Sequence, residues 1–370
     1  MTTSQRSAQS TGPLSVQQHP ARLDSLTAMR FFAAVLILAV HSFRPILDIS
    51  ALNIMADLGV VGVSFFFVLS GFVLTWSARV GDSPKAFYRR RWARVYPLHI
   101  VTTLIALSTL VFGPAFATWY TTIFAVLLLQ AWAPTPSWYL AGNAPSWSLS
   151  CEAFFYATFP FTYRWLSKMQ PGKLLRVAVA IVLYLAVTPA VFLLLTTPQF
   201  NHAITYINPL YRVGEFTLGI IIALAMRYPI PVLRVSQAAI FAVLSYICVA
   251  AVKVALILLL DWTLADAYAA LLLMPAWIVL ITSGARADTT GAPSLFRRRY
   301  LIVLGEWSFA LYLVHAFARD TLLWLWPPPF TRPESVAVEL IFVASSIALA
   351  GILHVAVERP LEKRLRGRRR

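Results

Sequence analysis

The stretch that decides the fold is Leu26–Leu47, which reads LTAMRFFAAVLILAVHSFRPIL. It is long enough to cross a bilayer as a helix, because a crossing takes about 20 predominantly apolar residues. Arg30 and His41 interrupt its apolar run. At about 100° per residue their separation makes about three turns, so both side chains share one side of the helix, about 16 Å apart along its axis.

Ionisable groups at membrane depth are costly and usually face a protein interior or a water-filled cavity. One interpretation of Arg30 and His41 is therefore a pathway or an active site within the membrane. The other is that Arg30 extends to one interface while His41 packs near the opposite one. The helix alone leaves both interpretations open.

The composition is that of a membrane protein. The chain has 370 residues, of which 59% are hydrophobic and 12% are charged, roughly half the charged fraction of a soluble protein. The net charge of +16 does not indicate a nucleic-acid partner, because Lys and Arg cluster between apolar segments as the positive-inside rule describes. The two cysteines, Cys151 and Cys248, form neither a disulfide framework nor a metal-ligand pattern, so we expect no metal site.

The hydropathy pattern predicts an all-α fold, a polytopic membrane bundle of about ten transmembrane helices. The predicted crossings are Leu26–Leu47, Leu58–Ala78, Pro97–Phe116, Trp147–Leu166, Leu174–Leu195, Pro209–Arg227, Val235–Leu260, Leu264–Thr282, Tyr300–Ala318 and Val336–Val357. We expect a disordered cytoplasmic tail over residues 1–22, one membrane domain over 23–360 and a basic cytoplasmic tail over 361–370. We see no internal repeat.

An eleventh apolar stretch, Trp119–Trp132, is shorter than a crossing. The basic loops before and after it should both be cytoplasmic, so an even number of crossings separates them. Three apolar stretches lie between those loops, and we therefore predict that Trp119–Trp132 is re-entrant or interfacial. This count places both termini on the cytoplasmic side of a cytoplasmic (inner) membrane.

With this topology, five ionisable residues from four helices share the outer half of the membrane: His41, Glu152, Arg212, Glu215 and His315. Unpaired charges at that depth carry a desolvation cost. The coincidence indicates a site that opens outward. The alternative is a buried structural ion-pair network.

Three further patterns each allow a functional and a structural interpretation. Arg91 and Arg94 lie in FYRRRWARVYPL, where guanidinium groups can bind phosphate, or form an ordinary positive-inside loop against anionic lipid. Ser70 and Gly71 allow close approach of a slender ligand or, more commonly, of another helix. Trp147 belongs to a group of aromatic residues that can stack on a sugar or form an interfacial belt.

Six segments in this order resemble acyltransferase family 3, a family of integral membrane O-acyltransferases. They are LDSLTAMRFFAAVLILAVH from Leu23, GVSFFFVLSGF from Gly62, FYRRRWARVYPL from Phe87, WSLSCEAFFYATFP from Trp147, YRVGEFTLGI from Tyr211, and SFALYLVHAF from Ser308, which is followed by VERP at Val357–Pro360. The resemblance extends from Leu23 to about Pro360.

The resemblance implies transfer of an acyl group, often acetyl, from cytoplasmic acyl-CoA to a hydroxyl group. Acceptors in this family include polysaccharides, lipid-linked sugars, peptidoglycan and macrolide antibiotics. The resemblance implies no tightly bound cofactor. The co-substrate is acyl-CoA, and we expect it to be acetyl-CoA. Membrane lipid surrounds the protein. Some members carry an additional soluble hydrolase-like domain; we expect a standalone member or one that acts with a separate partner protein.

The resemblance also assigns roles to individual residues. His41 matches the proposed catalytic histidine, with Glu152 as our candidate for the carboxylate on its second ring nitrogen. Arg30 matches the arginine paired with that histidine, but on a straight helix it lies too far from His41, so we expect it to contact CoA. With Ser70, Gly71, Arg91 and Arg94 it forms the expected donor-binding set. Supporting or acceptor-side positions are Arg212, Glu215, His315 and Trp147. Base catalysis by His41 and a covalent acyl-histidine are both compatible with this set.

Two other classes of function compete with this hypothesis. In a proton-coupled secondary transporter, the intramembrane His and Glu residues would relay protons, but transporters usually show internal symmetry. A purely structural membrane scaffold explains the clustered ionisable residues poorly.

Overall fold

The computed structural model describes residues 22–42, 50–78, 81–109, 118–328 and 330–366. These ranges contain helices and connecting turns, and no β-strand. The helices are α1 (Asp24–Ser42), α2 (Ser50–Asp57), α3 (Gly62–Trp76), α4 (Pro84–Thr109), α5 (Trp119–Val126), α6 (Pro136–Tyr139), α7 (Trp147–Leu166), α8 (Pro171–Leu195), α9 (Pro198–His202), α10 (Pro209–Ala225), α11 (Val235–Leu260), α12 (Asp266–Thr290), α13 (Arg299–Leu325), α14 (Arg332–Leu353) and α15 (Arg359–Leu365). Residues 1–21, 43–47, 110–116 and 367–370, which carry parts of the predicted tails and spans, lie outside the described residues.

Eight helical segments among the described residues are long and apolar enough to cross a membrane. They are Asp24–His41, Asn53–Trp76, Pro171–Leu195, Pro198–Ala225, Val235–Leu260, Asp266–Thr290, Arg299–Leu325 and Pro333–Leu365. The predicted polytopic helical bundle is therefore confirmed. Of the two remaining predicted crossings, Trp147–Leu166 coincides with α7, whereas Pro97–Phe116 overlaps α4 only over 97–109 and ends outside the described residues. Both are long helices whose polar residues set them apart from the eight.

The stretch Trp119–Trp132 does not form a crossing helix. α5 ends at Val126, and eight residues of helix span only about 12 Å. Leu128 then adopts a positive φ of 58°, and a short 3₁₀ turn covers Gln130–Trp132. His99 of α4 donates a hydrogen bond from Nε2 to the carbonyl oxygen of Ala125 at 3.1 Å. The predicted short segment is thus confirmed, held against α4 by a buried histidine.

The bundle has a buried centre and a peripheral layer. The segments Asn53–Trp76 and Pro198–Ala225 are each 78% buried, whereas Pro171–Leu195 and Val235–Leu260 are only 11% and 17% buried. α8 and α11 therefore present most of their apolar side chains to their surroundings, as lipid-facing helices do.

Small residues set the closest contact in the centre. A methyl group added at Gly71 of α3 would overlap the carbonyl oxygen of Phe216, and one at Gly219 of α10 would overlap that of Val68. α3 and α10 thus cross with their backbones in contact, as small residues permit in membrane helices. Gly305 of α13 lies equally close to the backbone of Thr27 in α1.

The end of the last crossing contains a wider turn. His354–Glu358 forms a π-helical segment before α15 begins at Arg359. Pro360 has no backbone N–H to donate, and a local widening of the helix accommodates such a residue. The turn brings His354 Nδ1 within 2.9 Å of Glu358 Oε2. Glu358, the acidic residue of VERP, is buried as a result.

Candidate active site

A central cavity lies between four helices, α1, α3, α7 and α13, with about 380 Å³ of empty space. Its lining combines a cation, a carboxylate and two hydroxyl groups with an otherwise apolar and mainly aromatic wall: Arg30, Val63, Phe66, Phe67, Ser148, Leu149, Glu152, Phe309 and Tyr312. Arg30 and Glu152, both predicted site residues, meet here.

In this cavity Glu152 interacts with a tyrosine and with arginines, and not with His41 as predicted. The hydroxyl of Tyr156 donates a hydrogen bond to its Oε2 at 2.7 Å, and its charged neighbours are Arg30, Arg94 and Arg91. The described partners of Glu152 do not include His41, so the expected contact between this carboxylate and His41 is not formed. The physical reason is that a buried carboxylate is stabilised by cations, and the arginines surround it.

The histidine end of the site consists of His41 on α1 and His315 on α13. Their rings pack edge to face with centroids 4.8 Å apart. His41 Nδ1 lies 3.1 Å from the carbonyl oxygen of Ile37, and His315 Nδ1 lies 2.7 Å from that of Tyr312. A carbonyl oxygen only accepts, so each Nδ1 carries the proton. In the neutral rings Nε2 then holds the lone pair, which is the state that a general base requires.

Tyr312 connects the two parts of the site. Its ring lines the central cavity, and its centroid lies 5.9 Å from that of His315. The hydroxyl of Tyr312 donates to the carbonyl oxygen of Pro145 at 2.8 Å, which fixes the loop before α7 to α13. The histidine end is therefore next to the cavity, separated from it by one aromatic ring.

Beyond Arg30, as seen from the cavity, lies a group of charged residues that we call the arginine end. It consists of Arg91, Arg94, Glu358 and Glu362. Arg94 Nη1 lies 3.5 Å from Glu362 Oε2, and Glu358 interacts electrostatically with both Arg94 and Arg30. Burial opposes the charged form of Arg94, but the carboxylates of Glu358 and Glu362 outweigh it and raise the pKa of this guanidinium. The C-terminal segment thus supplies anions to cations on α1 and α4.

Arg91 differs from Arg94 because most of its charged neighbours are cations, although the Glu152 carboxylate is also near it. Burial lowers the pKa of its guanidinium, and Arg94, Arg366 and Arg90 lower it further. Its Nε is buried without a hydrogen-bond partner among the described residues. An arginine keeps its charge in proteins, so Arg91 presents a positive charge that an anion would stabilise.

A second ion pair lies behind the cavity wall. Arg212 is completely buried, and its Nη1 donates to Glu215 Oε1 at 2.7 Å and to Ser64 Oγ at 3.3 Å. Its guanidinium lies 4.6 Å from the ring centroid of Tyr206 and 5.2 Å from that of Phe67. Trp147 packs against Tyr206, with the two ring centroids 5.2 Å apart. The structural alternative, a buried ion pair, describes Arg212 and Glu215 well.

Of the predicted pair Ser70 and Gly71, the glycine faces α10. The space beside Gly71 is taken by the α10 backbone, so helix packing accounts for this residue and no ligand can pass on that side. Ser70 is half-buried. The five ionisable residues expected in one layer are thus divided among the histidine end, the cavity and the Arg212 ion pair.

Sequence reasoning missed four residues of the site: Ser148, Tyr156, Tyr312 and Glu358. Three of them were within reach of a simple rule, because residues three or four apart share a helix face. Tyr156 is four residues after Glu152, Ser148 is four before it, and Tyr312 is three before His315. Glu358 belongs to the VERP segment of the family resemblance, but the sequence assigns it no function.

Comparisons with known proteins identify the family of this chain. The family model described as acyltransferase domain, that of acyltransferase family 3, matches residues 23–355. Acyltransferase MdmB of Streptomyces mycarofaciens is 36% identical over 94% of this chain and 94% of its own length. Nodulation protein 10 of Rhizobium leguminosarum bv. viciae is 25% identical over 82% of each chain.

No solved structure matches the chain. The family match nevertheless covers nearly the whole sequence, and it favours the acyltransferase hypothesis over the transporter and the scaffold. The protein is a multi-pass membrane protein, and the chain belongs to acyltransferase family 3.

Proposed function

We propose that the protein is an acyl-CoA-dependent O-acyltransferase of the cytoplasmic membrane. It transfers an acyl group, acetyl in the simplest case, to a hydroxyl of a glycan, a lipid-linked sugar or a macrolide-like acceptor. The observation that carries the proposal is the central cavity, which adjoins a cluster of arginines through Arg30 and a pair of histidines through Tyr312.

The arginine end is the proposed donor site. The positive-inside rule places α4's basic segment, and both termini, on the cytoplasmic side, where acyl-CoA is available. Arg91, whose Nε is buried without a hydrogen-bond partner among the described residues, is the proposed phosphate ligand, together with Arg94. The narrow pantetheine arm would enter the central cavity past Arg30. Glu152 and Tyr156 would form the polar part of its wall.

The histidine end is the proposed reaction centre. His41 Nε2 accepts the proton of the acceptor hydroxyl while the oxygen attacks the thioester carbonyl carbon. A C–O bond forms and the C–S bond breaks. The CoA sulfur leaves as thiolate and receives the proton that His41 has taken. The backbone carbonyl of Ile37, 3.1 Å from Nδ1, holds the ring in the tautomer that this step requires, in place of the carboxylate of Glu152.

The experiment is CoA release by purified protein in nanodiscs, with acetyl-CoA and a panel of sugar and macrolide acceptors. We expect His41→Ala to lower acceptor-dependent release by about 10²–10⁴-fold, as removal of a general base does. Donor binding should remain. His202→Ala is the matched control, since this partly exposed histidine on α9 pairs with Asp266 away from the cavity.

The donor site is tested in the same assay. Arg91→Ala should weaken acetyl-CoA binding by about tenfold or more, the effect of losing a charge-assisted hydrogen bond. Arg90→Ala is its control, because Arg90 is paired with Asp82. Unchanged transfer in His41→Ala, or equal acetyl-CoA affinity in both arginine variants, would contradict the proposal. A trapped acyl-histidine would replace direct transfer by the two-step route.

A further inference from the structure

A histidine near the end of the last crossing has no role in the motifs or in the proposed reaction. His354 lies directly after α14, at the start of the π-helical turn His354–Glu358. Its Nδ1 lies 2.9 Å from Glu358 Oε2, and the two side chains are only 14% and 2% exposed. An ionised carboxylate only accepts hydrogen bonds, so His354 is the donor in this charge-assisted hydrogen bond.

Glu358 connects this histidine to the arginine end. Within ion-pair distance it has one partner among the described residues, which is His354. At longer range it is the charged group that interacts most strongly with Arg94, and the carboxylate that interacts most strongly with Arg30. Glu358 therefore attracts two guanidinium groups without closing an ion pair with either of them.

The π-helical turn directs Glu358 toward these arginines. Its hydrogen bonds close to the fifth residue instead of the fourth, so the chain beyond it is rotated by about 100° relative to an uninterrupted α-helix. Glu358 stands at the end of this turn, and Arg30 and Arg94, its charged neighbours, lie on α1 and α4. Such turns are frequent at functional sites, which agrees with a role for this carboxylate in the donor site.

Glu362, a second carboxylate near Arg94, is held in a different way. Its side chain is 15% exposed, and its oxygens lie 3.5 Å from Arg94 and 3.3 Å from Arg366, two arginines that are themselves partly exposed. A donor phosphate can replace this carboxylate, because both arginines would exchange one anion for another. Displacing Glu358 would instead leave the His354 donor unpaired, which carries a cost. Glu358 should therefore stay in place when a donor binds.

We propose that His354 is a positioning residue of the donor site. Through its hydrogen bond it holds the Glu358 carboxylate back from Arg94, so that this guanidinium remains available to a phosphate group of acyl-CoA. Without the hydrogen bond, Glu358 would close an ion pair with Arg94, as Glu215 does with Arg212, and the donor would have to break it. This inference rests on the proposed function and adds to it a residue that does not touch the donor.

The test is equilibrium binding of acetyl-CoA to purified protein in nanodiscs, with transfer kinetics measured in parallel. His354→Leu and His354→Asn form a matched pair, because the two new side chains have nearly the same shape and only asparagine carries a donor near the position of Nδ1. We expect His354→Leu to weaken acetyl-CoA binding by about three- to tenfold, the effect of losing one hydrogen bond. It should raise the KM for acetyl-CoA while kcat stays the same. His354→Asn should restore most of the affinity.

Two further variants show whether the effect passes through Glu358. In a Glu358→Gln background, His354→Leu should change binding by less than about twofold, because the charge that the histidine restrains is gone. Val355→Ala is the control for the turn itself, since Val355 follows His354 and is 59% exposed. It should bind acetyl-CoA like the wild type. Thermal unfolding of every variant in nanodiscs shows that each is folded.

The outcomes separate the inference from the proposed function. Equal affinity of the wild type and His354→Leu, with acyl transfer intact, would overturn the positioning role alone. So would equal weakening by His354→Leu and His354→Asn, or a loss of thermal stability in His354→Leu with normal binding, because both results indicate packing. A wild type that binds no acetyl-CoA would overturn the proposed donor site and this inference with it. If His354→Leu does not fold, His354→Gln replaces it, since glutamine places its amide near Nε2 and cannot substitute for Nδ1.

Discussion

Two arginine–glutamate sets in this molecule have the same ingredients and different surroundings. Arg212 and Glu215 are in contact at 2.7 Å, with the guanidinium enclosed between the rings of Tyr206 and Phe67. Arg30 and Glu152 line a cavity, and the carboxylate is hydrogen-bonded to Tyr156 instead. In the closed pair the two opposite charges neutralise each other, although Arg212 Nε, Arg212 Nη2 and Glu215 Oε2 have no hydrogen-bond partner among the described residues. Charges along a cavity, in contrast, are accessible to a ligand.

The largest expected effect concerns the closed pair. Arg212→Leu would leave Glu215 as a buried, unpaired charge, and breaking such a pair costs about 3–5 kcal/mol of stability. Thermal unfolding in nanodiscs measures this loss. The double variant Arg212→Leu/Glu215→Leu should recover most of it, because replacing both partners removes the unpaired charge. A single variant as stable as the wild type would show that the pair is not structural.

A smaller effect is expected for the cavity set. Glu152→Gln still accepts a hydrogen bond from Tyr156 but loses the negative charge among the arginines. We expect the turnover rate to fall by about tenfold, the difference between a charge-assisted and a neutral hydrogen bond. The KM for acetyl-CoA should not rise, since the arginines that attract phosphate remain. A loss of thermal stability as large as that of Arg212→Leu would remove the distinction between the two sets.

The smallest effect is expected at the arginine end, where a carboxylate of the protein competes with the donor. Glu362 interacts with Arg94 at 3.5 Å and with Arg366 at 3.3 Å, so donor phosphates would have to displace it. Glu362→Gln should therefore lower the KM for acetyl-CoA by about two- to fivefold, in keeping with the strength of partly exposed ion pairs. Lys363→Gln, its neighbour on α15, is the control. An increased KM in Glu362→Gln would mean that this carboxylate organises the donor site.

The bundle could be predicted from the sequence because hydropathy and charge act along the chain. Bilayer thickness determines the length of a crossing helix, and basic residues indicate which loops are cytoplasmic. Together these two signals predicted that Trp119–Trp132 does not cross. These two signals also indicated which segments carry ionisable residues. They did not show which of those residues meet, because that depends on the rotation of each helix about its axis.

Glu152 illustrates this limit. Its position on α7 was correct, but its side chain lies with Arg30, Arg94 and Arg91 rather than with His41. The partners of His41 include a second histidine and a backbone carbonyl, and a carbonyl leaves no signal in a sequence. Gly71 shows the same limit, since only the packed structure reveals that α10 fills the space beside it.

The aromatic wall of the central cavity has a consequence for the membrane itself. An open aqueous passage from the arginine end to the histidine end would let ions leak and dissipate the gradients that the membrane maintains. The rings of Phe66, Phe67, Phe309 and Tyr312 along that cavity give the route low polarity, which makes it costly for a hydrated ion to enter. A neutral acyl thioester bears no such cost, so these rings can admit a reactive group while the bilayer stays electrically sealed.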